Sequence, residues 1–235
     1  MFRKTLVLTL AIGLFSLAAF ADHATLFKVR VENVSTSTAL KSSTGETTEA
    51  GLSPGLFFLF NGKKSDIFVA GHPDHGMGLE GQAEDGNPEM LAESVRKHKG
   101  VTKVEVFNTP VGMDNPGPIG PGGAYEFTFA ANPGTKLMMT EMFGQSNDLF
   151  YAPDPKGIDL FDQSGNPVQG DITSQFILWD AGTEVNQEPG FGPDQAPRQK
   201  APNTGESEKK AVGMVKDNFM YPSTSGVIKV TITHQ

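Results

Sequence analysis

The chain has 235 residues with 27 acidic and 19 basic side chains, and it contains no cysteine. The lack of cysteine excludes disulfides, thiol catalysis and thiolate metal sites. The acidic balance disfavours nucleic acids and anionic membrane surfaces as partners, because both bind clusters of basic residues.

The first 21 residues have the pattern of a signal peptide. Arg3 and Lys4 form a short basic region, residues 6–20 are mostly apolar, and Ala19-Phe20-Ala21 offers a small-x-small cleavage site. The apolar run is shorter than the roughly 20 residues of a membrane-spanning helix. We therefore predict cleavage after Ala21 instead of a retained anchor. The product is an exported chain, periplasmic or secreted, whose formal charge falls from −8 to −10.

Residues 22–235 are predicted to form one all-β domain. Residues 26–33 alternate strictly between apolar and polar side chains, which is typical of a half-buried antiparallel strand. Residues 56–60 are apolar on both faces and predict a central strand. Six further strands are expected around residues 103–106, 125–129, 136–143, 157–161, 175–179 and 227–233. About eight strands with one or two short helices favour an antiparallel β-sandwich.

The clearest helix signal begins at Asn87 as the cap and Pro88 as the first helical residue, and it ends at Gly100. This helix is expected to cover one end of the sheets. Residues 206–217 are a candidate for a second short helix. The polar residues 35–50 and the Gly-, His- and Asp-rich residues 61–85 are predicted as loops.

A long segment with little strand character, residues 180–225, is expected to be functional. Two acidic clusters lie within residues 146–199: Asp148 precedes the apolar residues 149–151, and Asp180 and Glu184 follow the apolar residues 176–179. Gly182 lets the chain between Asp180 and Glu184 turn tightly. Carboxylates at strand ends suit a hard cation such as Ca²⁺. The alternative is that each aspartate caps its own backbone in an Asx-turn.

Several segments resemble the spondin N-terminal domain, and more narrowly its stand-alone exported bacterial form. The similarity covers roughly residues 26–233, and the most specific parts are the Asp148 and Asp180–Glu184 motifs. The segments are SPGLFF (53–58), GLEGQAEDGN (78–87), PGGAYEFTF (121–129), NDLFYAPD (147–154), GIDLFD (157–162) and LWDAGTEVNQEPGFGPDQAP (178–197).

The resemblance implies a C2-like antiparallel β-sandwich with a calcium site at one end. It places the metal ligands on Asp148, Asp180 and Glu184. The third position is commonly aspartate in the animal proteins, and the aromatic residue that usually follows the first ligand is Leu149 here. With the resemblance, we expect a calcium-dependent adhesion or ligand-binding module. The chain is expected to be monomeric, and the lack of a Gly-x-Ser-x-Gly motif disfavours an enzyme. Thrombospondin-type repeats and a reeler-like domain are absent from the sequence, so the animal proteins' partners do not transfer.

Other interpretations remain open beside this one. A hydrolase, for example a carbohydrate-active enzyme, needs only two facing acids, and Glu80 with Asp85 or Glu188 with Asp194 are possible pairs. A purely structural envelope protein with a vestigial site is another alternative.

Two loop features bear on a metal or ligand site. His72 and His75 could suggest a zinc or copper site, but Pro73 makes a turn there, and a solvated loop is the expected state. Residues 189–197 are too proline-rich for a helix. They are expected to cover the acidic site, with Asp194 as a further candidate ligand.

Overall fold

The computed structural model describes residues 24–235, so the predicted signal peptide lies outside the described residues. The fold is mostly β-structure with two short helices, α1 (Leu79–Asp85) and α2 (Glu89–Arg96). The strands are β1 (Thr25–Asn33), β2 (Leu40–Lys41), β3 (Thr47–Thr48), β4 (Leu52–Phe60), β5 (Val101–Phe107), β6 (Ala124–Ala131), β7 (Lys136–Phe143), β8 (Leu149–Pro153), β9 (Ile158–Asp159), β10 (Gly170–Asp171), β11 (Phe176–Asp180), β12 (Gly213–Met214) and β13 (Ile228–His234).

The strands form two antiparallel sheets that pack as a sandwich, which confirms the predicted all-β class. The smaller sheet has the order β10, β13, β1, β6. The larger one has the order β12, β11, β8, β7, β4, β5, with β9 paired to β7. β2 and β3 form a separate hairpin. Among the described residues, none of the helices is long and apolar enough to cross a membrane.

The main core lies between the sheets and follows the period of two that strands impose on their side chains. On β1, Phe27, Val29 and Val31 are fully buried, as the alternation predicts. Across the core, the rings of Phe57 and Phe127 stack with their centroids 4.2 Å apart. β4 is a central strand between β7 and β5, in agreement with the prediction from its continuous apolar sequence.

A second core lies on the outer face of the larger sheet. Alternate residues of β4, such as Leu56 and Phe58, point to this side and pack with residues of both helices. Leu91 and Val95 of α2 are buried there, as their spacing predicts. The helix therefore covers a sheet face and not an end, so that part of the prediction was wrong. α2 packs mainly on β5, and α1 packs on β7 and β8.

Three segments differ from the sequence-based expectations. α1 forms inside residues 61–85, which were predicted as a loop, and β2–β3 form a hairpin inside residues 35–50. Residues 206–217 contain no helix, because residues 206–210 pair with residues 182–185 and residues 213–214 form β12, which pairs with β11. The backbone hydrogen bond from Glu208 N to Thr183 O, 2.8 Å long, belongs to this pairing. Val212 is buried as expected, but against the second core in extended form.

One carboxyl group lies inside the main core. Glu141 is on β7 between Met139 and Phe143, on the face that points to the other sheet, and it is 0% exposed. Neither of its carboxyl oxygens has a hydrogen-bond partner in residues 24–235. Burial raises the pKa of Glu141 from its ordinary value of 4.5 to about 8. Its core position predicts a neutral carboxyl group at physiological pH.

Candidate metal site at the edge of the larger sheet

Two of the three predicted ligands are neighbours because of the strand order. Asp148 directly precedes β8, and Asp180 is the last residue of β11. These strands are antiparallel, with Asp180 opposite Leu149. The hydrogen bond from Ala181 N to Asp148 O, 3.1 Å long, joins the two strand ends. The start of β8 and the end of β11 therefore meet at the same end of the larger sheet.

Asp148 is the most buried member of the site, with 0% exposure. Its Oδ2 accepts hydrogen bonds from the backbone N–H groups of Thr183 at 2.8 Å and Glu184 at 3.1 Å. Its Oδ1 is also buried and has no partner among the described residues. Burial, and then the charge of Asp180, raise the pKa of Asp148 to about 7. Half of this carboxylate is thus satisfied by the protein and half is not.

Asp180 forms the Asx-turn that was the alternative interpretation for such residues. Its Oδ1 accepts from Gly182 N at 2.8 Å, and its Oδ2 accepts from Asn186 Nδ2 at 2.9 Å. Gly182 has φ +68°, and a Cβ there would lie 2.7 Å from Lys210 O, so the tight curl requires glycine. Asp180 lines an open groove that also contains Asn186 and Lys210. Burial raises the pKa of Asp180.

Glu184 is 2% exposed and is held by a different partner. Its Oε2 accepts a hydrogen bond from Asn147 Nδ2 at 3.1 Å. Burial raises the pKa of Glu184, and the charge of Asp194 raises it further, whereas the hydrogen bond from Asn147 lowers it. Its backbone pairs with Ser207 in an isolated bridge. The loop thus brings Glu184 into the same buried region without placing its carboxylate on Asp148.

A further buried carboxylate near this region, that of Glu84 on α1, was not predicted from the sequence. Glu84 is 2% exposed, and both of its oxygens lack a hydrogen-bond partner in the described part of the chain. Burial, with smaller effects from the charges of Glu184 and Asp148, raises the pKa of Glu84 to about 8. The nearby Thr183 hydroxyl lowers this pKa in part. The Thr183 hydroxyl has its hydrogen-bond contact with Asp148 Oδ2, at a long 3.4 Å. Only the recognition of a helix over residues 79–85 could have revealed this position.

Glu208 was also missed. Its Oε2 pairs with Lys210 Nζ at 2.5 Å, while its buried Oε1 has no partner among residues 24–235. Its charge raises the pKa values of Asp148 and Asp180. Glu208 therefore adds a further negative charge near Asp148 and Asp180.

The segment expected to cover the site is held by its own amide network. Asn147 Oδ1 accepts from Gln187 N at 3.0 Å, and the fully buried Gln195 donates to Glu188 O at 3.0 Å. Asp194 exchanges two hydrogen bonds with Gln187, at 2.6 and 3.1 Å. Gln187 therefore engages Oδ2 of Asp194, while the charge of Asp194 acts on Glu184, so its role as a further ligand stays a prediction.

The residues of the alternative interpretations have other contacts. His75 Nε2 lies 3.0 Å from Asp66 O, in an exposed loop. Asp85, one of the possible hydrolase acids, accepts from Gln199 Nε2 at 2.8 Å. Glu188, from the other pair, accepts a hydrogen bond from Ser43 N.

The chemistry of the donors fits a hard cation, since buried carboxylate oxygens without partners are the ligands that Ca²⁺ prefers. Their present arrangement is open: within residues 24–235, no group of three or more His, Asp and Glu side chains is close enough to hold a metal ion. Binding would therefore require side chains to turn toward Asp148. Neither the models of known protein families nor the curated proteins contain a match to this chain.

Proposed function

We propose that this chain is an exported calcium-binding β-sandwich module in which Asp148, Asp180 and Glu184 hold one Ca²⁺ ion. The observation that supports the proposal most is the buried, unpartnered Oδ1 of Asp148. A buried carboxylate oxygen without a partner is costly, so it favours either a proton or a cation.

The local charges favour a group that neutralises several carboxylates together. Asp180 and Glu184 add two more carboxylates to the buried region around Asp148, and each raises the pKa of a neighbouring acid. Lys210, which lines the groove beside Asp180, pairs with Glu208 and is 70% exposed, so solvent weakens the effect of its charge on Asp148. A dication bound to several carboxylate oxygens removes the repulsion at once, and Ca²⁺ accepts six to eight oxygen ligands.

The hydrogen bonds already present are compatible with binding. The N–H groups of Thr183 and Glu184 occupy Oδ2 of Asp148 and leave Oδ1 free for an ion. Asp180 and Glu184 would each exchange a hydrogen bond from an asparagine amide for an ionic contact. Such neutral-donor bonds contribute about 1–3 kcal/mol each, which a dication can offset.

The ion would add order to the loop of residues 180–199, which the amide network around Asn147 already supports. Asp180 also faces the open groove, so a partner's carboxylate or water could complete the coordination from that side. On this basis we propose a monomeric, non-enzymatic adhesion or ligand-binding module at the cell surface or in the envelope, with a protein or glycan as its ligand.

Thermal unfolding of the chain from residue 22, in Ca²⁺ or in chelator, tests the proposal. At a calcium concentration 100 times the dissociation constant, binding adds about 2.7 kcal/mol, or roughly 5–10 °C in Tm for a chain of this size. The double variant Asp180→Asn, Glu184→Gln should lose this shift. Asp114→Asn, in an exposed turn, is the control and should keep it. Equal midpoints for the wild type in Ca²⁺ and in chelator, with no metal in the purified protein, would contradict the proposal.

A further inference from the structure

Glu84 is a buried carboxylate that the three-ligand site leaves unexplained. It is 2% exposed, and neither of its oxygens accepts a hydrogen bond within residues 24–235. It also takes part in none of the ion pairs of the described chain. A glutamate in such a place needs a proton, a cation or an unseen polar partner.

α1, which carries this side chain, is fixed against the sheet by its own contacts. Gln82 Nε2 donates to Pro54 O at 3.2 Å and to Ser53 Oγ at 3.3 Å. Ser53 Oγ in turn accepts from Met142 N at 2.9 Å, which links the helix to β7. The helix ends at Gly86 with φ +65°, where a Cβ would lie 2.6 Å from that of Ser53. The helix therefore cannot move Glu84 outward without breaking these contacts.

Glu84 lies near the candidate metal site, because α1 packs on β8 and Asp148 directly precedes that strand. The charges that act on Glu84 include those of Glu184 and Asp148, and the Thr183 hydroxyl lies beside both Glu84 and Asp148. Asp148 Oδ1 and the two Glu84 oxygens are thus three buried acceptors without partners in one region. One cation between them would satisfy all three, whereas one proton shared by the two carboxyl groups would pair only two of the three oxygens.

We propose that Glu84 is a fourth carboxylate ligand and that the ion fastens α1 to the β8–β11 edge. This inference rests on the proposed calcium site and extends it to a residue outside the loop. A glutamate can bind Ca²⁺ through both oxygens, which suits the six to eight ligands of Ca²⁺ better than the octahedral shell of Mg²⁺. Because Asp85 accepts hydrogen bonds from Gln199 Nε2 and Asn203 N, the ion would also stabilise the far end of the long loop.

Calorimetric titration with CaCl₂ compares the wild type, Glu84→Gln and Glu80→Gln. Glu80 is on the same helix but is exposed, so its variant controls for the loss of one charge. Glu84→Gln should bind Ca²⁺ at least tenfold more weakly, and Glu80→Gln should stay within about threefold of the wild type. In chelator, Glu84→Gln should melt at the same temperature as the wild type or higher, because glutamine keeps the shape of the buried side chain and cannot ionise there.

Each outcome separates the two proposals. If the wild type binds no Ca²⁺, the proposed function fails. If the wild type and Glu84→Gln bind equally, the inference about Glu84 is overturned while the calcium site stands. Hydrogen exchange of the wild type provides a second test that needs no variant: calcium should slow exchange in residues 79–85. Unchanged exchange there, in a protein that does bind calcium, would also overturn the inference.

Discussion

Replacement of Glu141 by glutamine should change how stability depends on pH. The pKa of Glu141 in the folded chain is about 8, against an ordinary value of 4.5, because the group is buried between the sheets. Between these two pH values the unfolded chain releases its proton while the folded chain keeps it. The wild type therefore loses stability as pH rises from 4.5 to 8, and the loss from this group is complete above pH 8.

The size of this effect follows from the shift. One pKa unit corresponds to about 1.4 kcal/mol, so the full window amounts to ~5 kcal/mol. That is a large part of the 5–15 kcal/mol typical of a folded domain. Other titratable groups that face Glu141 are Tyr151, directly opposite on β8, and Tyr125 on β6. Burial, together with the charge of Glu141, raises the pKa of both tyrosines, so they remain neutral throughout the window.

Urea unfolding of the wild type and of Glu141→Gln at pH 5, 6, 7 and 8, in chelator, measures the effect. The difference in unfolding free energy should move in favour of the variant by about 1 kcal/mol per pH unit. Other acids titrate in both proteins and cancel in the difference. Glu105→Gln, on the exposed side of β5, is the control and should follow the wild-type profile. Parallel profiles for the wild type and Glu141→Gln would refute the assignment of a neutral carboxyl group in the core.

Two glycine substitutions test packing at the core and at the site. Gly55→Ala should destabilise the fold by about 1–3 kcal/mol in urea unfolding, because the new Cβ would overlap Thr140 O across the β4–β7 pair. Gly51→Ala, with open space around it, should be near neutral, and equal stability of the two variants would contradict this packing. Gly205→Ala should weaken Ca²⁺ binding several-fold in calorimetry, because its Cβ would displace the Glu184 carboxylate; unchanged affinity would argue against Glu184 as a ligand.

The sandwich was predictable where local pattern and final packing agree. The alternation in β1 matches its burial residue by residue, because one face meets the core and the other meets solvent. β4 is apolar on both faces because it serves two cores, one between the sheets and one under the helices. The position of Asp148 and Asp180 beside apolar segments was also visible in sequence, and the pairing of β8 with β11 brings them together.

The remaining features depend on contacts that are distant in sequence. β8 was not among the expected strands, because its five residues are buried on both faces and carry no alternation. Val212 and Val215 have a spacing that suits a helix, but the backbone of residues 206–210 pairs with residues 182–185 instead. Glu84 was missed for a similar reason, since its burial results from the docking of α1 on β7 and β8 and not from any local motif.

Equilibrium dialysis of the chain from residue 22 against radioactive Ca²⁺ tests the calcium site most directly. We predict saturable binding of one ion per chain, with a dissociation constant of about 10⁻³ M or tighter, the range of extracellular calcium modules. The double variant Asp180→Asn, Glu184→Gln should bind much less, and excess Mg²⁺ should not displace the ion from the wild type. No saturable binding to the folded wild type would contradict the site, and binding that the double variant retains would contradict its ligands.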